Sequence, residues 1–353
     1  MKILHVISSL ELGGAQRLLS DMLPIMAKQH DVSLLVNVQI HNELQEKIEK
    51  AGVHVISLDK SDVYSFKNVF RIAKKMRGMD VVHVHLFPSL YWAALASLFV
   101  PAKLVYTEHS TSNKRRGKWY FRPVERFIYN RYSKIVAISS PVCKTLADWI
   151  GKDPDDSKFD VVENGVDLSH FMASARDGIF NPKKVIMVSR FAKSKDHSTV
   201  IKAMQYIPAD IQLILVGDGE TMPECKELAE RIRVDDRVHF VGAQSNVSSW
   251  LSEAYIGVQS SHWEGFGLTA VEMMASGLPV IASNVEGLKQ VVDGAGELFA
   301  CGDERELAQI ITSLLEDEDM YKDLQQKCLS RAKRYSIHAT VEAYLNIYKE
   351  VSE

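Results

Sequence analysis

The feature that most constrains this chain is a rhythm. Short, nearly continuous apolar runs alternate with helical patterns from one end to the other. In the first half the runs lie at 3–7, 32–38, 53–58, 80–85, 103–108 and 134–138, with helical patterns between them, for instance at 15–30, 42–51, 66–77, 88–99 and 118–132. In the second half the runs are 184–189, 211–216, 237–241, 255–259, 279–282 and 297–300, and the helices 197–206, 222–233, 246–253, 268–276 and 304–315. A strand that is apolar on both faces is buried on both faces, and helical crossovers join parallel neighbours. The pattern predicts an α/β protein in which a doubly wound parallel sheet occurs twice. A length of 353 residues suits two domains rather than one.

The boundary is expected within 163–183. Glu163-Asn164-Gly165-Val166-Asp167 is a turn signal, and irregular sequence follows it up to Lys183. This gives a first domain over 1–165 and a second over 166–335. The final stretch, 318–353, reads as helical and amphipathic and is longer than the second sheet needs. Its end, about 336–353, is expected to pack back on the first domain.

Composition narrows the class. Apolar content of 46% and charged content of 25% are those of a soluble globular protein. The longest uncharged apolar stretch, Leu90 to Val100, stops at Pro101, well short of the ~20 residues a membrane span needs. Met1 to Ile7 reads as a buried strand rather than a signal peptide. Cys143, Cys225, Cys301 and Cys328 are scattered with no Cys-x-x-Cys, the usage of buried free thiols in a reducing cytoplasm. The net charge of −3 conceals an asymmetry. Residues 1–160 carry 23 Lys+Arg against 16 Asp+Glu, a net of +7, and the remainder 19 against 29, a net of −10. A basic first half and an acidic second half imply different partners for the two domains.

In open α/β sheets ligands bind beyond the carboxyl ends of the strands, so with two sheets the cleft between them is the expected site. The candidates stand at such ends. Glu264 lies in a loop, Gly265-Phe266-Gly267 can let a ligand approach the backbone, and Leu268 opens a short helix that carries Glu272. Free N–H groups at that helix start suit a phosphate, and the two carboxylates suit sugar hydroxyls. Gly13-Gly14 follows the first strand, either as an anion seat or as an ordinary glycine loop. The dinucleotide fingerprint Gly-x-Gly-x-x-Gly is absent there, which disfavours NAD. Arg190 and Lys195, with Lys193 in competition, offer a donor fork and a mobile charge for a diphosphate, or form a solvated basic loop. Ala243 and Gln244 follow an apolar run and could face a nucleobase. His109 ends its strand as a donor to a sugar hydroxyl or as a structural ring. His83 and His85 share one strand face, and with no third ligand in view a metal site is not expected. Lys114 to Lys134 holds eight Lys or Arg against Glu125 alone, interleaved with aromatic residues. It reads as an anionic-membrane surface or as a solvated helix with core aromatics; no nucleic-acid motif accompanies it.

Taken together, these residues resemble the retaining glycosyltransferases of family 4, which have the GT-B fold. The resemblance spans nearly the whole chain: Gly13-Gly14, His109, Asn164-Gly165-Val166-Asp167, Arg190 with Lys195, Val216-Gly217-Asp218-Gly219, and Glu264 through Glu272, in that order. It implies an acceptor-side first domain and a second domain that binds a nucleotide-sugar donor. Arg190 and Lys195 would bind the donor diphosphate, Glu272 the ribose, Glu264 with its loop the transferred sugar, and His109 that sugar near the reaction centre. No cofactor or metal is implied. A UDP-sugar is the family's commonest donor, and the acceptor would be a glycan or a lipid-linked glycan. Two departures bear on the acceptor side: Gln16 stands where an acid is frequent, and Ser110 follows His109 where Asp or Asn is usual. The competing readings are a GT-B sugar-nucleotide epimerase, a phosphorylase, which would normally be much longer, and a non-catalytic sugar-nucleotide-binding scaffold.

Overall fold

A computed structural model describes residues 1–11, 13–38, 40–58, 62–110, 115–172 and 183–353. The chain divides into two compact units, Met1–Gly165 with Ile337–Glu353, and Val166–Ser336. In chain order the first contains β1 Lys2–Ser9, α1 Gly14–Met26, β2 Asp31–Val38, α2 Glu43–Lys50, β3 His54–Ser57, α3 Lys67–Met76, β4 Val81–His85 and α4 Ser89–Ala96. It continues with β5 Lys103–Glu108, α5 Arg122–Asn130, β6 Lys134–Ala137, α6 Ser140–Ile150 and β7 Phe159–Val161. The second holds α7 Leu168–Phe171, β8 Lys184–Val188, α8 His197–Ala203, β9 Gln212–Val216, α9 Met222–Arg231, β10 Val238–Gly242 and α10 Val247–Ser252. Then come β11 Ile256–Gln259, α11 Leu268–Ala275, β12 Val280–Ser283, α12 Leu288–Val292, β13 Glu297–Phe299, α13 Glu304–Glu316 and α14 Glu318–Ala332. The last helix, α15 Ile337–Ser352, belongs to the first unit.

Each unit is a parallel sheet, ordered β3-β2-β1-β4-β5-β6-β7 in the first and β10-β9-β8-β11-β12-β13 in the second. The chain winds outward from β1 in one direction, then returns to β4 and winds in the other; β8 and β11 repeat the device. The reversal leaves a crevice at the carboxyl ends of the two central strands, because their crossover helices depart to opposite faces. The doubly wound plan is therefore present twice. Every apolar run lands on a strand to within a residue or two. The strands are buried on both faces: in β4 all five residues, Val81 to His85, are buried.

The differences are local. The sequence over 318–353 is two helices, not one. Lys333–Tyr335 forms a tight 3-10 turn, and Ser336 is extended because it bridges to Val166, whose N–H donates to the Tyr335 carbonyl at 2.8 Å. Beyond it α15 buries Ile337, Val341, Tyr344, Ile347, Tyr348 and Val351, a stripe at helical spacing packed in the first unit's core with α1 and the β1–β4–β5 strands. α6 and the edge strand β7 were absent from the expected elements. Yet α6 has standard punctuation: Ser139 caps its start by accepting from Val142 N–H, and Gly151 closes it in the left-handed region at φ 69°.

Candidate active site

The second unit concentrates its chemistry where the loops after β8 and β11 meet. Backbone bonds stitch the loops together. Asp196 N–H donates to Ser260 O at 3.1 Å and His262 N–H to Ser194 O at 2.9 Å, with an isolated bridge between Lys195 and Ser261. This pairing carries the Lys195 side chain across to the neighbouring loop. Its Nζ donates to Ser261 Oγ at 3.3 Å and forms an ion pair with Glu264. The two side chains are 18% and 21% exposed, too dry for full solvent screening and too open to be core. Lys195 is thus a fixed cation rather than a mobile one, whereas Lys193 is exposed.

The backbone around Glu264 is held tightly. Gly265 N–H donates to Glu264 Oε1 at 3.2 Å. At Gly287, φ is 87° and a Cβ would lie 2.6 Å from the Glu264 carbonyl oxygen, so only glycine lets the loop before α12 press on this carbonyl. Gly267, at φ 95°, is the cap of α11 and makes no side-chain bond to the helix start. Leu268 begins that helix, and Glu272 is buried one turn inside it, 5% exposed. Phe266 is buried edge-on to Tyr335, which leaves its backbone, not its ring, for a ligand.

Arg190 is exposed in the loop after β8. Its neighbour Phe191 is core, stacked on His197 with centroids 3.9 Å apart. The loops after β9 and β10 line up beside it. Phe191 N–H donates to Asp218 O at 3.0 Å, and Gly217 N–H to Gly242 O at 2.9 Å. Ala243 is exposed, and Gln244 donates through Nε2 to Val241 O at 2.8 Å. The candidate donor residues of this unit therefore lie along one sheet edge, with Lys195 and Glu264 in contact and Ala243 and Gln244 two strands from β8. Sequence reasoning missed the support beneath them. Ser283 Oγ holds both Ser261 N and Ser261 O, at 2.9 and 2.8 Å. Asp196 caps α8 by accepting from Thr199 N and Ser198 Oγ. Burial opposes ionisation of Asp196, but these bonds outweigh it and hold its carboxyl below the usual range. The Asp-x-x-Thr cap was the available signal.

In the first unit Gly13 is the extended cap of α1 and Gly14 its first residue. His109 follows β5, half-buried. The expectation that His83 and His85 lack a nearby third imidazole is corrected. Parallel register sets His5 of β1 opposite His83 of β4, on the face that His85 shares. His5 Nδ1 lies 3.2 Å from His85 Nε2, and His85 Nδ1 lies 3.1 Å from His109 Nε2. His83 is engaged at both nitrogens, with Tyr348 OH at 2.5 Å and Thr107 Oγ1 at 2.7 Å. One nitrogen from each of His5, His83 and His85 falls within 4.8 Å of the others. Asp196, His262 and Cys301 form a second such group, in which Asp196 is already committed to its cap. Burial lowers the first unit's rings far below the ordinary histidine value, His5 to about 3 and His109 to about 4. His83 and His85 are also lowered, by burial and then by neighbouring rings. These imidazoles are neutral at pH 7.

Two further expectations change. Cys301 is exposed, unlike the other three thiols. The 114–134 segment, of which Lys114 lies outside the described residues, shows less open charge than its composition suggests. Glu125 is fully buried and accepts from Arg115 at 2.6 Å and Tyr91 at 2.9 Å, and also from Trp149. Arg116 pairs with the buried Glu108 at 2.6 Å, and Lys134 with Asp160 and Glu350. Arg122, Arg126 and Arg131 donate to backbone carbonyls. The aromatics split: Tyr129 and Tyr132 are core, while Trp119, Tyr120 and Phe127 are exposed.

With this geometry in place, comparison with known proteins decides the family. The model for Glycosyltransferase Family 4 matches residues 12–170 and that for Glycosyl transferases group 1 matches 175–331. The chain belongs to the family 4 glycosyltransferases. Among curated relatives, this glycosyltransferase is 24% identical over 348 residues to a Campylobacter jejuni protein. That protein is named N-acetylgalactosamine-N,N'-diacetylbacillosaminyl-diphospho-undecaprenol 4-alpha-N-acetylgalactosaminyltransferase, and the match covers 93% of this chain and 94% of the relative. It is 25% identical to N-acetyl-alpha-D-glucosaminyl L-malate synthase of Bacillus anthracis, covering 84% of each. Among solved structures it resembles Anabaena HepE in complex with UDP and glucose, with a TM-score of 0.88 at 22% identity over 99% of this chain and 100% of that one. That likeness shows the GT-B fold.

Proposed function

We propose that this glycosyltransferase is a retaining hexosyltransferase. It moves a sugar from a UDP-sugar to a lipid-linked glycan in the building of a cell-surface polysaccharide such as capsule or lipopolysaccharide, at the cytoplasmic face of the membrane. The observation that carries the reading is the meeting of Lys195 with Glu264 beside the start of α11. There, a cation, two carboxylates and the N–H groups of a helix terminus share one sheet edge. Arg190 and Lys195 meet the diphosphate, Glu272 takes the ribose, Glu264 with Gly265, Phe266, Gly267 and Leu268 takes the sugar, and Ala243 with Gln244 faces the base. In the first unit, His109 is the proposed contact to the transferred sugar, and Gly13 with Gly14 a proposed anion seat at the start of α1. UDP is favoured because HepE was solved with it, and a lipid-linked acceptor because the Campylobacter relative is named for one.

In the proposed reaction the acceptor hydroxyl oxygen bonds to the anomeric carbon on the face from which the diphosphate departs. The carbon–oxygen bond to the diphosphate breaks, and the hydroxyl proton passes to a diphosphate oxygen. The charge growing on the leaving group is met by Arg190, Lys195 and the α11 N-terminus, without a metal or cofactor. A thermal-shift series tests the donor class: UDP and UDP-sugars raise the melting temperature, while GDP and ADP with their sugars do not. A rise with GDP or ADP instead replaces UDP. No rise with any of them, together with no donor hydrolysis, rejects the transferase reading in favour of a silent scaffold.

A further inference from the structure

The first unit holds a chain of three imidazoles that ends at His109. His5 Nδ1 pairs with His85 Nε2, and His85 Nδ1 pairs with His109 Nε2. Each ring is neutral, so each nitrogen pair shares one proton, and the protons can be laid out in only two ways. In one, His5 Nδ1–H donates to His85 and His85 Nδ1–H donates to His109. In the other every bond is reversed, and His5 must carry its proton on Nε2.

The end of the chain decides between them. His5 Nε2 is fully buried without a hydrogen-bond partner among the described residues. The first layout leaves there an unpaired acceptor; the reversed one leaves an unpaired N–H. Buried orphan N–H donors are the rarer and costlier defect. The first layout also fixes the far end: His109 Nε2 must accept, so its proton sits on Nδ1. Among the described residues the Nδ1 of His109 has no hydrogen-bond partner. The rings are too tightly packed to turn over, since His83 lies 4.1 Å from His85 between centroids and is itself pinned by Thr107 and Tyr348.

We propose that His85, oriented by His5, is a positioning residue that holds His109 as the neutral Nδ1–H tautomer and so presents a fixed N–H donor to an oxygen of the transferred sugar. The sugar contact rests on the functional reading above; the tautomer does not. His85 touches no reacting atom. It acts through His109, as a second partner orients a metal-bound or catalytic imidazole.

Long-range proton–nitrogen correlation on the full chain with 15N-labelled histidine tests this, with His109 identified by the signals lost in His109→Gln. In wild type, His109 shows a protonated Nδ1 and a bare Nε2. In His85→Phe, which keeps the ring and removes the donor, it becomes a mixture of both tautomers. In His85→Asn, whose amide can donate from the Nδ1 position, the wild-type pattern returns. Transfer follows: kcat falls about ten- to a hundredfold in His85→Phe with donor KM little changed, and recovers in His85→Asn. A wild-type His109 protonated on Nε2 overturns the proposal, as does one unaffected by His85→Phe. If His85→Phe does not fold, the wild-type spectrum alone decides. The expected tautomers with unaltered kcat would keep the relay and reject His109's place in the reaction.

Discussion

The two units share one architectural plan and fill it differently. Beneath its switch point the first unit buries His5, His83, His85 and Thr107, with Tyr344 and Tyr348 of α15 bonded to them. The second unit's first strand buries Val185, Ile186 and Met187, and the core cluster that Val185 and Met187 join is aliphatic and aromatic. Its loops after β8 and β11 carry the Lys195–Glu264 ion pair and the Asp196 carboxyl, held below the usual range by its hydrogen bonds. One unit therefore presents neutral hydrogen bonding and the other presents charge. A diphosphate needs charge; a sugar hydroxyl needs a donor or acceptor that does not compete for protons. The division matches the proposed division of labour between donor phosphate and reacting sugar.

The largest expected effect comes from removing charge in the second unit. Lys195→Ala is expected to lower kcat/KM by a hundredfold or more, because it removes the cation proposed to meet the leaving group, held in a partly dry site. Circular dichroism and melting temperature should stay near wild type, and Arg190→Ala should behave alike. Wild-type turnover in both variants would break the assignment. The next effect sets the units against each other in acid. An imidazole whose folded value is depressed stays bare in the native state while the unfolded chain binds a proton below about 6.5. Stability is then fully present above pH 6.5 and is lost as pH falls toward the folded values, about 3 for His5 and about 4 for His109. Each such ring costs roughly 1.4 kcal/mol per pH unit in that window. The first unit has five, His5, His83, His85, His109 and the partly buried His30; the second has His197, lowered to about 4. Glu108, raised by burial, opposes the trend in the first unit, as a single group. Hydrogen exchange should show β1, β4 and β5 losing protection between pH 7 and 5 before β8, β9 and β11 do; simultaneous loss would remove the contrast. The smallest effect is local. Gly287→Ala must displace the Glu264 backbone and is expected to cost about 1–3 kcal/mol by chemical denaturation while weakening donor binding. An unchanged donor affinity would show that this carbonyl's position is not part of the site.

Much of this was legible without coordinates, for physical reasons. Strands buried on both faces leave continuous apolar runs, so the sheets could be read directly. Glu264 and Glu272 were conspicuous because glycines punctuate the turn between them. The histidine chain was not legible. His5, His85 and His109 are far apart in sequence, and only the strand order β1-β4-β5 with its register brings them together. The basic 114–134 segment was only partly legible, for the converse reason. Composition counts charges, while Glu125 and Glu108, buried and paired, show where two of them go. The short β7 and the break at Ser336 depend on tertiary pairing and carry no periodic signal.

The most direct measurement is hydrogen-exchange footprinting of the whole chain with and without the nucleotide that stabilises it most. Protection is predicted in the loops 189–196, 260–268 and 242–244, and it should vanish from the first two in Lys195→Ala. Protection confined to other surfaces, with these loops exchanging as in the free protein, would contradict the placement of the donor at this edge of the second sheet.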